Sequence, residues 1–177
     1  PNENYGRELL ELHAMGVQDS ILQELHAPEL LTLALLFHDV GKWRDAEHVQ
    51  ESVQLAQSML DRLELPTDAR RTVEFLIRNH LLLSQVAFRR DFGDPHVVKQ
   101  FADLIGSEER LKLLCLMTRA DVGAVNPEVL TPWKEDLLWR LYVHAYNRLT
   151  LGYADELLQK DPAGLSVVVA GRPDDIT

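Results

Sequence analysis

A chain of 177 residues, 46% hydrophobic and 26% charged, has ordinary globular composition and is long enough for one domain with a sizeable core. Apolar runs such as 30–37 fall far short of the ~20 residues that cross a bilayer, and no basic, apolar leader precedes them, so neither a membrane span nor secretion is expected. A net charge of −10 excludes long-range attraction to a nucleic-acid backbone, and a polyanionic substrate would need a local positive charge such as a bound divalent metal.

In chain order, the sequence begins at Pro1 rather than Met, and the expectation is a piece of a longer polypeptide. Apolar residues recur at three- and four-residue spacing, and strict alternation is almost absent before residue 165, which predicts an all-α fold. Helices are expected over 5–15, 19–25, 28–40, 47–63, 67–82, 95–105, 107–122 and 132–151, with a weaker stretch to about 160. Pro28, Pro95 and Pro132 suit a first helical turn, where a missing N–H costs no bond, and Asp94 and Thr131 are candidate caps. Cys115 is the lone cysteine and cannot form an internal disulfide, so a reducing compartment, the cytoplasm, is expected. From Asp161 the character changes to Asp-Pro, Gly164, an apolar run over 165–169 and then Gly171-Arg172-Pro173, read as a linker and one strand. The expected organisation is a helical domain over 1–160 and an extension over 161–177.

The helix predicted over 28–40 carries Leu30, Leu31, Leu33, Ala34, Leu35, Leu36 and Phe37, apolar on every face, the pattern of a helix surrounded by core. It ends in His38-Asp39, and a carboxylate delivered there is costly unless a cation or strong hydrogen bonds compensate it. Gly41 lets the chain turn away, and Lys42 follows where its ammonium can meet a phosphate oxygen. A second apolar helix, from Leu111 through Met117 to Ala120, finishes at Asp121. Between the two lie His48, on the first turn of the next helix, and His80, behind Phe75, Leu76 and Ile77. His38, Asp39, His48, His80 and Asp121 form a mixed imidazole and carboxylate set suited to Mn2+, Fe2+, Mg2+ or Zn2+, one ion or two, rather than a thiolate site. Taken singly, His48 reads more readily as a surface or capping group, and Asp121 equally as the cap of a helix starting near Asn126. The adjacent pair His38-Asp39 followed by Val-Gly-Lys favours the metal, whereas His13, His26, His96 and His144 have no such company.

Phe-His-Asp-Val-Gly-Lys at 37–42, followed by later histidines and a distant Asp, resembles the HD phosphohydrolase superfamily. Within it, the segments Arg78-Asn79-His80-Leu81-Leu82-Leu83-Ser84, Arg89-Arg90-Asp91-Phe92-Gly93-Asp94-Pro95 and Thr118-Arg119-Ala120-Asp121 are similar to the HD domain of the bifunctional PII uridylyltransferase/uridylyl-removing enzymes. Asn126-Pro127-Glu128 through Trp133-Lys134 and Leu137-Leu138 extend that similarity, which runs over about 28–151. The resemblance implies a helical HD bundle that hydrolyses the phosphodiester between UMP and a tyrosine of the PII nitrogen-signalling protein. It also implies a nucleotidyltransferase domain upstream and glutamine-sensing ACT domains downstream in a longer protein, the strand at 165–169 being a candidate opening of the first ACT domain.

With the resemblance goes an expected site in which Asp39 bridges two ions, His38 and Asp121 hold one, and His48 and His80 hold the other. Asp39 and Lys42 are then the catalytic candidates, with Lys42, Arg89 and Arg90 meeting the phosphoryl oxygens. The family's first metal histidine would fall upstream of Pro1, with His13 as a fallback. The run Val49-Gln50-Glu51-Ser52 after His48 departs from the family's Ser-then-Gly pattern. Two rival expectations are an HD reaction on a nucleotide substrate, and a regulatory module in which the metal only organises the fold.

Overall fold

The computed structural model describes residues 19–41, 48–125 and 130–160. A short helical stretch at 19–23 is followed by α1 (Pro28–Phe37), α2 (His48–Arg62), α3 (Thr67–Asn79), α4 (Leu82–Arg89), α5 (Pro95–Ile105), α6 (Glu108–Val125) and α7 (Pro132–Lys160). Every regular element among the described residues is a helix, which makes the fold all-α. None of these helices is long and apolar enough to cross a membrane. The expected helix at 5–15 and strand at 165–169 lie outside the described residues.

Local chemistry sets several helix boundaries. Pro28 and Pro95 occupy the first turns of α1 and α5, and the Asp94 carboxylate accepts the His96 N–H at 2.9 Å as a helix cap. Thr131 Oγ1 lies 3.4 Å from the Lys134 N–H that it receives at the start of α7. At the far end of α5, Gly106 takes a φ of 78° and returns its N–H to the Ala102 carbonyl at 2.9 Å, a left-handed stop that a residue with a Cβ adopts at a cost.

α6 is the centre of the bundle and packs against α1, α3, α4, α5 and α7. Leu111, Leu113, Leu114, Cys115 and Met117 are all buried, as an all-round apolar helix should be, and each leucine contributes roughly 2–3 kcal/mol by leaving water. Lys112 is buried in the same stretch, where its ammonium meets Glu24 at 3.1 Å and Glu108 at 3.8 Å. Burial alone would lower its pKa, but the Glu24 hydrogen bond and the two carboxylates outweigh that and hold it above 10.5.

α1 departs from the expectation. Leu30, Ala34 and Phe37 face the core, but Leu36 is 63% exposed and Leu31, Leu33 and Leu35 are only half-buried. The helix is a wall packed on α3 and α6 rather than a rod surrounded by core, because composition alone does not say which face a neighbour covers. α1 also stops at Phe37 rather than at residue 40, and α6 runs to Val125 rather than 122. A helix that the periodicity left out, α4, starts after a gap of two residues beyond α3, burying Leu83 and Ala87 and packing against α7.

The Cys115 thiol is fully enclosed, and burial pushes its pKa from 9.0 up to about 12, with the nearby Arg119 opposing weakly. A thiol that ionises less readily when folded supports stability fully below pH 9 and progressively less as pH rises toward 12. Equilibrium urea unfolding from pH 8 to 11 should therefore show stability falling with pH, and Cys115→Ala should reduce that slope by up to about 1.4 kcal/mol per pH unit. Native Cys115 should also resist iodoacetamide until the chain unfolds.

Candidate metal centre

Two helices end at a histidine, and both end in the same way. His38 is the residue after α1, and its Nδ1 lies 2.9 Å from the carbonyl of Leu35, three residues back. His80 is the residue after α3, and its Nδ1 lies 2.8 Å from the carbonyl of Ile77, again three residues back. A carbonyl only accepts, so Nδ1 carries the proton in both rings and a neutral imidazole presents a bare Nε2. Each ring takes up a terminal carbonyl that the helix would otherwise leave without a partner, and in doing so selects its own tautomer and direction. The two rings meet edge to face with centroids 5.3 Å apart.

His38 Nε2 lies 3.2 Å from Asp39 Oδ2 and 3.2 Å from Asp121 Oδ1. A lone pair that faces two carboxylate oxygens at this distance is repulsive unless positive charge lies among them, as a proton or as a metal ion. His38, Asp39 and Asp121 form a group whose ligand atoms all lie within 4.8 Å of one another, and all three are half-buried. Donors about 2.1 Å from a common ion stand about 3.0 to 3.4 Å apart, so the spacing suits a divalent cation, and the N and O donor types suit Mn2+, Fe2+, Zn2+ or Mg2+. The opposite ring nitrogen, bonded to a backbone carbonyl, is the outer support that metal-binding histidines ordinarily have.

The cap reading of Asp121 does not hold, since α6 continues for another turn and Asp121 stands inside it with its carboxylate turned to His38. His80 is buried next to the group without belonging to it. Of His48 only its place at the start of α2 is described, and Lys42 and His13 lie outside the described residues. Arg89 and Arg90 are exposed at the end of α4, and no hydrogen bond or ion pair among the described residues joins either to the cluster.

Three supports escaped the sequence reading. Ser52, fully buried on α2, accepts the N–H of Gly41 at 2.9 Å, just beyond the His38-Asp39 pair. Thr118, one turn before Asp121, donates to Leu114 O at 2.8 Å and lies 3.4 Å from the carbonyl of His80. Arg119 pairs with Glu135, tying the Asp121 region of α6 to α7 with both side chains mostly covered. A polar residue inside an apolar stripe was the available signal, visible for Ser52 before Val53 and Ala56, but its partner is set only by the packing.

A helical bundle with a His-Asp pair closing one helix and a distant Asp brought beside it defines a class of protein. The chain matches the HD domain model over residues 8–124 and belongs to the HD domain family, a family of metal-dependent hydrolases that bind divalent metals. Among curated proteins it is similar to bifunctional uridylyltransferase/uridylyl-removing enzymes. That of Pseudomonas putida (strain F1) is 34% identical over 164 residues, covering 88% of this chain and 18% of the relative. The corresponding enzyme of Gluconobacter oxydans (strain 621H) is 40% identical over 135 residues, covering 76% of this chain and 14% of the relative. The chain thus spans less than a fifth of the length of the curated relatives it matches. No solved structure matches it.

Saturating Mn2+ at about a hundredfold above its dissociation constant should stabilise the folded chain by about 2.7 kcal/mol, raising Tm by roughly 5–10 °C, reversibly with EDTA. Asp121→Ala and His38→Ala should each lose most of that shift in differential scanning fluorimetry.

Proposed function

We propose that this chain is a uridylyl-removing hydrolase domain that cleaves the phosphodiester between UMP and a tyrosine of uridylylated PII protein, in a cytoplasmic nitrogen-regulation role. The observation that carries the reading is the convergence of His38 Nε2, Asp39 and Asp121 at the end of α1. Similarity to enzymes whose name includes uridylyl removal supports the choice of substrate. In the same proposal, 1–160 is the hydrolase domain and 161–177 leads to another part of a longer protein, where glutamine is sensed.

His38, Asp39 and Asp121 would hold one ion, with Asp39 shared with a second held by His48 and His80. A bound divalent ion would supply Lewis acidity, lowering the pKa of water toward about 7 and offsetting charge on the phosphoryl oxygens. With Nδ1 of His38 and of His80 engaged by the carbonyls of Leu35 and Ile77, Nε2 is the atom that each ring would offer to an ion. Lys42, three residues beyond Asp39, would meet a phosphoryl oxygen, and Arg89 and Arg90 would reach the polyanionic part of the substrate. A tyrosine phenolate, with a reference pKa near 10, departs without strong acid assistance.

With Mn2+ present, the purified chain should release UMP from uridylylated PII. Asp39→Ala should lower that rate by about a hundredfold or more, and Lys42→Ala by about ten- to a hundredfold. Turnover of cyclic nucleotides or nucleoside triphosphates without release of UMP would assign the site to a nucleotide substrate. No turnover of any of these, even by a chain extended through its upstream histidine, would leave a regulatory module with a structural ion.

A further inference from the structure

We infer that Ser52 is a positioning residue of the metal centre, holding the turn that carries Asp39 in register with α2. The inference rests on the metal-dependent reading of the site given above. Ser52 is completely buried on a helix face continued by Val53, Ala56 and Leu60, all of them core residues. An alanine would fill that space with no polar group to satisfy, so the hydroxyl must be answered by a bond, and it is. Its Oγ accepts the Gly41 N–H at 2.9 Å across eleven residues of sequence.

Gly41 lies two residues beyond Asp39, in a turn whose own backbone bond, from the Val40 N–H to the Phe37 carbonyl, is long at 3.3 Å. The last N–H of the turn goes outside it, to Ser52. Ser52 stands one helical turn after His48, the first residue of α2. α2 rests mainly on α3 and less on α1, and the Gly41–Ser52 bond is a direct polar tie between the turn that follows Asp39 and the first turns of α2, the helix that begins at His48. Its loss would let that turn shift without unfolding the bundle, and a displacement of a few tenths of an ångström is enough to spoil ligand spacing.

The experiment measures Mn2+ affinity by calorimetry on the full chain, and the exchange rate of the Gly41 amide in the ion-free protein, for wild type, Ser52→Ala and Leu60→Ala. Leu60 lies two turns further along the same buried face, and its truncation costs the fold more than loss of one hydroxyl. The expected result is a ten- to hundredfold weaker affinity and faster Gly41 exchange in Ser52→Ala, with Leu60→Ala within about threefold of wild type in affinity. Wild-type affinity in Ser52→Ala overturns the inference, as does an equal loss in Leu60→Ala, which would trace the effect to general destabilisation. Failure of the wild-type chain to bind Mn2+ removes the metal centre itself, and the role of Ser52 with it.

Discussion

The site depends on one repeated contact, a histidine ring folded back onto the carbonyl three residues before it. At His38 and again at His80 this bond helps to end a helix, decides which nitrogen carries the proton, and leaves the other nitrogen free to act as a donor. Three requirements that are usually met by separate residues fall here on one. A helix end without this bond would leave the carbonyls of Leu35 and Ile77 short of a partner and the rings free to rotate.

Around that contact the bundle assembles charges of the same sign where water is scarce. Asp39 arrives beside its own neighbour His38, and Asp121 arrives from the middle of α6, so two carboxylates share one imidazole nitrogen. Such a group is poor as a stabilising element, because half-buried acids placed together repel and lose hydration. It makes sense as a receptor for positive charge. α1, α3 and α6 pack together behind the group, and the buried apolar side chains on that side lower the local dielectric, which raises the value of that charge.

The supports are graded by how firmly they are buried. Thr118 sits on the core side of α6, where its hydroxyl donates to Leu114 O and stands 3.4 Å from the His80 carbonyl, so the end of α3 lies against the helix that carries Asp121. The Arg119–Glu135 pair performs a similar service between α6 and α7, with enough cover to be worth more than an exposed ion pair. Exposed pairs such as Lys99 with Asp103 along α5 contribute little beyond helix solubility. The polar groups that matter to the site are thus those bridging different helices.

Much of the fold was legible in the residues themselves. Three- and four-residue spacing declares helices, Pro95 and Asp94 declare where one begins, and Leu111 to Met117 declare the helix that the others surround. His38-Asp39 at the end of an apolar helix, with Asp121 far along the chain, pointed to a metal because buried acids need an answer. What the linear order could not express was distance. Whether Asp121 caps a helix or faces His38 depends on where α6 ends and how α1 lies across it, and both are decided by packing. The exposure of Leu36, the separate helix α4 and the bond from Gly41 to Ser52 have the same origin, since each depends on which neighbour covers which face. Residue types and spacing determined the elements and the chemistry on offer; only the tertiary structure decided which groups meet, because burial and direction belong to the packed chain rather than to its order.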